Sequence, residues 1–511
     1  GTRFVPQPIT MTRGSAGTRV NSSGLVETVE IIGSELVNCG DFACATPSTY
    51  WTATNAVISF DNNQLTVDDT AGAGVDSRGS QTITTESGKT YRLIFNRIST
   101  TSSFWVAVGS DASHSNISRI DLGTDTGEYT LEFTATTSIT NISLIAGGSG
   151  ISVFSEVSLK EYTINNLARV DYTDGTSSLL VEPESTNLVT YSEDFSDSSW
   201  EQSPTTILTV TDNVTTSPDG TANACKVLAN GTGYSYLRKN LATSNETTFT
   251  IFAKKDNWRY IGLRNDINGV HDVFDFDTET FTKNQATNTV SFVTLSDGWY
   301  RLSVTKPTEQ SYYVGICMPQ NTSGAESVTL TNASVFIWGA QFEHLSYATS
   351  YIPTSSSTVT RIQDQYEKTG ISDLINSEEG VLFVESQSLA DDEDTRISIS
   401  DGTGGNYISI GYSRFSGNII AEIFAGGVLQ TVGWGANGVN KLIYHKFALS
   451  WGSGTMNFYM DGNISNTESV TSPTGMNVLK LSSSTAAHTF FAKVKQLQVY
   501  DTALTPTQLA T

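Results

Sequence analysis

A chain of 511 residues exceeds what one ordinary hydrophobic core supports, so about three domains are expected. Its 38% hydrophobic, 10% aromatic and 16% charged residues fit a folded β-protein and argue against disorder and helical bundles. The net charge of −23 repels phosphate backbones and anionic headgroups, which sets nucleic acid aside as a partner, and no run of roughly 18 apolar residues is present to enter a membrane.

In chain order, residues 1–29 carry Arg3, Arg13 and Arg19, no acid before Glu27, and too few apolar side chains for a core. They read as an extended arm without an apolar signal-peptide region. A basic arm on an acidic chain suits strand addition to a second copy, and packing on its own domains is the alternative.

Residues 30–163 and 186–350 repeat one pattern. The opening GSELVNCGDFACATPSTYW parallels STNLVTYSEDFSDSSW: Leu36-Val37 matches Leu188-Val189, Asp41-Phe42 matches Asp194-Phe195, and each frame ends on a tryptophan, Trp51 or Trp200. Strands TYRLIFNRI (90–98) and TFTIFAKK (248–255) follow. After them come GEYTLEFTA (127–135) and DGWYRLSVT (297–305), which alternate apolar and polar residues as half-buried strands do. Both units close on ISVFSEVSL (151–159) or ASVFIWGAQF (333–342), so one β-sandwich is used twice, with 164–185 as a connector.

A linker, 351–369, opens with YIPTSSSTVTR. Residues 370–511 then show a different strand set: GVLFVESQ, NYISIGY, KFALSWGSG, TMNFYMDGN and AKVKQLQVYD, with a hairpin turn at Asp461-Gly462-Asn463. TPTQLAT at the end is the one helix candidate. The expected fold is all-β, three tandem β-sandwich (jelly-roll) domains behind an extended N-terminal arm.

The segment ARVDYTDGTSSLLVEPESTNLVTYSEDFSDSSW (168–200) resembles a block that recurs in tailed-phage structural proteins, where it leads into a carbohydrate-binding-like jelly roll of head or tail fibres. Residues 34–160 are similar to carbohydrate-binding sandwich modules through LVNCGDF, Trp51 and SEVSL. Residues 370–511 resemble the concanavalin/laminin-G-like fold through YDTALTPTQL, Tyr500 to Leu509. In such phage proteins a segment like TRVNSSGLVETV (18–29) runs directly into one like ARVDYTDGTSSLL, which makes the first sandwich an insertion.

These resemblances imply a non-enzymatic structural subunit of a phage-like virion or extracellular fibre, self-assembling through the arm and binding cell-surface glycans. A dedicated glycan-binding adhesin is the alternative, and a polysaccharide-degrading enzyme is less favoured. The resembling modules also imply a structural Ca²⁺ shared by Asp41 with Glu156 and by Asp194 with Glu343; turn capping by the aspartates explains them equally well. No cofactor is otherwise required.

Motifs for catalysis are absent: there is no G-x-S-x-G, no H-E-x-x-H and no phosphate-binding glycine loop, and His114, His271, His344, His445 and His488 lie far apart. A glycosidase needs two carboxylates ~5–10 Å apart. Asp275 with Asp277, and Asp391, Asp392, Glu393 and Asp394 in LADDEDTR, are the candidates, and both groups read better as solvated acidic edges or cation-holding loops. No catalytic residue is assigned.

Sugar rings stack their C–H faces on aromatic side chains. Tyr234 and Tyr236 in GYSYLRK, and Trp258 and Tyr260 in NWRYIGLRND beside Arg259 and Arg264, are the candidate contacts, with Tyr407, Tyr412 and Trp434 as their analogues in the last domain. Trp51, Trp200 and Trp299 read as core plugs. Cys39 and Cys44 either close a local loop or stay thiols, as do the distant Cys225 and Cys317.

Overall fold

The computed structural model describes residues 8–69, 77–110, 115–146, 149–203, 205–243, 245–266, 269, 271–307, 311–391, 394–413, 418–435, 438–504 and 508. Nearly all regular structure is β, in two compact units: Glu30–Ile164, and the residues up to Val29 together with Asn165 onward. The terminal TPTQLAT lies mostly outside the described residues.

The unit Glu30–Ile164 is a sandwich of two antiparallel sheets. One runs Gly127–Thr134, Thr90–Thr100, Ile151–Thr163, Gln64–Asp68, Val57–Asp61; the other runs Ser118–Gly123, Phe104–Gly109, Ile139–Ala146, Arg78–Thr84, Thr52–Thr54. Strand periodicity accounts for the core: Tyr91, Leu93 and Phe95 alternate inward and meet Val106, Leu144, Phe154 and Trp51.

The other unit holds two sandwiches. In the middle one a six-stranded sheet runs Leu208–Thr215, Ala224–Tyr234, Ser327–Glu343, Thr247–Lys255, Trp299–Lys306, Thr289–Thr294. Its five-stranded partner runs Tyr236–Thr243, Ser311–Cys317, Tyr260–Asp266, Asp272–Asp275, Thr280–Thr282. The C-terminal sandwich has two seven-stranded sheets around Ile397, Ile410, Leu382, Phe447 and Phe458.

Three segments read as arm, connector and linker turn out to be structural. The arm strand Thr10–Thr12 extends one C-terminal sheet by pairing with Gln365–Thr369. Connector strands Arg169–Asp171 and Ser178–Val181 extend the other by pairing with Ala492–Tyr500. Linker residues Val359–Arg361 pair with Ser185–Asn187. The hairpin of Thr18–Val20 and Val26–Thr28 brings Val26 and Val20 onto Phe252, Trp299, Trp338 and Tyr351. This cover explains why Thr247–Lys255 is buried on both faces from Thr247 to Ala253. The described part of the arm is thus engaged on its own chain, as the alternative reading of its sequence has it.

What draws these segments together is a buried charge cluster. Arg13, Arg169, Arg361, Glu182 and Asp364 are all 3% exposed or less. Asp364 accepts from Arg13 at 2.7 Å and from Arg169, while Glu182 accepts from Arg169 and Arg361 at 2.5 Å each. Gly17 closes over the stack, where a Cβ would sit 2.9 Å from the Arg13 guanidinium carbon and 3.0 Å from Arg169 Cδ.

Arg13→Ala takes one guanidinium from a carboxylate that remains buried, and is expected to lower stability by about 3–5 kcal/mol, read as a reduced urea midpoint. Acid should act on the same cluster. Burial alone would raise the Glu182 carboxyl, but Arg361, Arg169 and the Ser350 hydroxyl outweigh it and hold it at about 2, below the ordinary 4.5. Its contribution is therefore complete above the unfolded-state value and is lost as pH falls through the folded one. Urea midpoints should drop steeply between pH 4.5 and 2, and Glu182→Gln should flatten that slope.

Candidate functional site

The two repeated openings fold alike. Leu36 N donates to Leu159 O and Leu188 N to Phe342 O; Val157 N donates to Gly40 O and Ala340 N to Ser192 O. The Trp51 indole donates to Cys39 O at 3.4 Å and that of Trp200 to Tyr191 O at 3.1 Å. Both acceptor residues have positive φ, 53° at Cys39 and 54° at Tyr191. Phe42 packs on Trp51 with centroids 5.7 Å apart, and Phe195 on Trp200 at 4.9 Å. Trp51 and Trp200 are core plugs, as is Trp299. In the first copy Cys39 and Cys44 form a disulfide, while Cys225 and Cys317 are buried thiols.

In this register the two proposed cation pairs do not occupy equivalent positions. Val157 stands where Ala340 stands and Leu159 where Phe342 stands, so Glu343 corresponds to Lys160 and Glu156 to Gly339. Asp41 and Asp194 are exposed and cap local turns, Asp41 accepting from Ala43 N and Asp194 from Ser196 and Asp197. Glu156 is exposed, whereas Glu343 is buried and filled by Ser185, Gln341 and Thr349. No group of three or more His, Cys, Asp or Glu among the described residues is placed to hold a metal. Glu193 of the opening stretch accepts from Tyr351 and Asn223, and burial raises its carboxyl.

The candidate site is the outer face of the five-stranded sheet of the middle sandwich. Leu237, Val314, Ile316, Ile261 and Leu263 point into the core, so their strand neighbours point outward. Three cross-strand rows result: Tyr236, Cys317 and Gly262; Arg238, Gly315 and Arg264; Asn240 and Tyr313. Tyr260 precedes Gly262 by two positions on the same face. Trp258, in the loop before it, donates to Pro319 O and packs at 6.3 Å from Tyr260. Tyr234 sits at the corner where the chain changes sheets, 5.9 Å from Tyr236 and 43% exposed.

Glycine at the centre of this face is a steric necessity. A Cβ on Gly315 would lie 2.2 Å from Leu237 O, and one on Gly262 would lie 2.6 Å from Cys317 Sγ. The space is taken by a cationic and aromatic layer. The Arg238 guanidinium lies 4.3 Å from the Tyr236 ring centroid and 3.8 Å from that of Tyr313, which also carries Arg264 at 4.8 Å. Arg264 pairs with Glu326 at 2.6 Å, and His271 Nε2 is 3.8 Å from the same carboxylate. Burial, helped by Arg264, pushes His271 down to about 3, so its ring is neutral. Arg264, His271 and Cys317 are buried, whereas Tyr236, Arg238, Tyr260 and Tyr313 stay partly exposed.

The structure therefore brings Tyr234, Tyr236, Trp258 and Tyr260 to one end of one face. It adds Arg238, Tyr313 and Glu326, which the sequence reading did not name. Arg238 was accessible to it, since it shares strand parity with Tyr236. The candidate carboxylates are held by cations: Arg259 binds Asp275 at 2.7 and 2.6 Å, and Lys255 binds Asp277 at 2.5 Å. In LADDEDTR, Asp391 O accepts from Lys441 and Asp394 lies 4.0 Å from Arg396; Asp392 and Glu393 lie outside the described residues.

In the C-terminal sandwich Tyr407 is half-buried and stacks on Phe424 at 5.1 Å. Tyr412 is a core residue, fully buried between Phe447 and Phe490 with its hydroxyl on Ser386, and has no face for a ligand. The Trp434 side chain lies outside the described residues.

No protein-family model and no curated protein sequence matches the chain. Among solved structures it is similar to a native heptameric SAP-like pentraxin from Limulus polyphemus, at 13% identity over 26% of this chain and 69% of that one, TM-score 0.22. It is also similar to the N-terminal CBM22-1-CBM22-2 tandem domain of Paenibacillus barcinonensis Xyn10C, at 10% identity over 62% and 98%, TM-score 0.23. A third is the Bacteroides ovatus xyloglucan PUL GH43B, at 10% identity over 88% and 97%, TM-score 0.17.

Because the middle sandwich keeps the tryptophan frame without a disulfide, breaking Cys39–Cys44 should leave the frame in place. Cys39→Ser with Cys44→Ser is expected to destabilise the unit 30–164 by about 2 kcal/mol, the loop-closure value for so short a ring. Calorimetry should show that unit's transition lowered, with Trp51 fluorescence in the folded state unchanged.

Proposed function

We propose that the chain is a non-enzymatic structural subunit of a phage-like virion or extracellular fibre, and that it binds glycans on the outer face of its middle sandwich. One observation carries the binding half: two aromatic pairs, Tyr234 with Tyr236 and Trp258 with Tyr260, converge on one sheet face and stay at least partly exposed. Trp258 packs partly on the core, and the ring surfaces left outside it supply the flat apolar faces on which pyranose rings stack.

The structural half rests on the resemblance of residues 168–200 to a phage block, supported by the way arm, connector and linker bind two sandwiches together. The non-enzymatic reading is supported by Asp275 and Asp277, whose carboxylates are neutralised by Arg259 and Lys255.

On a glycan array the full chain is expected to bind a defined subset of polysaccharides. Tyr236→Ala and Tyr260→Ala should each weaken that binding about tenfold while leaving the melting temperature unchanged. Absence of binding at high micromolar concentration removes the glycan half, and reducing-end release abolished by Asp275→Asn would replace the proposal with an enzyme.

A further inference from the structure

Arg238 differs from every other arginine on this face. Arg259 is held by Asp275, and Arg264 by Glu326. The Arg238 guanidinium lies over the rings of both Tyr236 and Tyr313, yet among the described residues its Nη atoms donate no hydrogen bond. The nearest carboxylate, Glu201, is 3.5 Å from Nε and 46% exposed, a loose pairing at the rim. The Arg238 side chain is 18% exposed, so the unclaimed edge of the guanidinium meets solvent.

Its position is fixed in advance. The backbone of Arg238 exchanges two hydrogen bonds with Glu201, at 2.7 and 3.1 Å, and Gly315 lets the next strand close up beside it. A planar fork held edge-on to solvent between two aromatic rings offers bidentate donors to one planar or tetrahedral anion, with little ordering left to be done on binding. Among the described side chains, Glu326 is committed to Arg264 and Glu201 lies at the rim. A chain of net charge −23 otherwise repels anionic ligands, so a local cation of this kind is the means by which one could be admitted.

We infer that the middle-sandwich face selects acidic glycans, with Tyr236 and Tyr313 flanking a sugar whose carboxylate or sulfate is bound by the free edge of Arg238. This rests on the proposed reading of that face as a glycan site. Lys at this position would supply charge without the fork.

The test is calorimetric binding of the full chain to three hexasaccharides of one backbone: galacturonate, sulfated galactose and neutral galactose. At least one acidic ligand is expected to bind roughly tenfold or more tightly than the neutral one, and whichever does so identifies the anion. Arg238→Gln should abolish the preference, Arg238→Lys should retain part of it, and both should melt as the parent does. Equal affinity for all three, unchanged in Arg238→Gln, overturns the inference and leaves the face a neutral-sugar site. Failure of all three to bind, together with a silent glycan array, overturns the reading of the face and the inference with it.

Discussion

Three guanidiniums and two carboxylates withdrawn from water at one point set the terms for the larger unit. The groups come from arm (Arg13), connector (Arg169, Glu182) and linker (Arg361, Asp364), so none of these segments can leave without stranding a buried charge. One positive charge remains after pairing, and carbonyls absorb it: Arg13 also donates to Ser15 O and Leu167 O, Arg169 to Thr18 O, and Arg361 to Pro183 O. Such a cluster need not exceed an apolar core in stability. It ties the three segments to one another, since removing any one leaves a charge of the others buried without its partner.

The cluster also gives the inserted unit a stable root. Arm and connector run side by side, with Tyr172 N on Val20 O and Asn166 N on Arg13 O, while Val29 N folds back on Gly17 O within the arm. The chain leaves this ladder after Val29 and returns to it at Asn165. A whole sandwich can thus be accommodated with little added loop closure, because its two attachment points are already held by pairing that does not depend on it.

Local chemistry was the legible part of the sequence. Leu-Val, Asp-Phe and Trp announced the repeated opening because the frame is closed over a few residues, a positive-φ carbonyl accepting the indole N–H a dozen or fewer positions later. The charge cluster was not legible, since Arg13 and Asp364 are 351 positions apart and an isolated arginine in a polar stretch reads as a solvated arm. Strand parity reaches further than this local frame. Tyr407 and Tyr412 are an odd number of residues apart on one strand and must face opposite ways, so one of them had to be core. Tyr313 was beyond reach, because its place beside Arg238 comes from strand pairing across 75 residues and from the absence of a side chain at Gly315.

The strand Tyr236–Thr243 shows how one sequence alternation gives two cations opposite duties. Lys239 turns inward, where its amine meets Ser199 Oγ at 2.5 Å and lies 4.8 Å from the Trp200 ring centroid. Burial lowers that ammonium to about 8, against the pull of Asp197 and Asp194. Its donors are spent on the opening loop, so it serves the frame. Arg238, one residue earlier, turns outward between two tyrosines with its Nη donors unspent. A buried cation that has met its acceptors is structural whatever its charge; a rigid one that has not is where an anion can bind. The same strand therefore fastens the loop NLVTYSEDFSDSSW to the core on one side and presents Arg238 with unspent donors on the other.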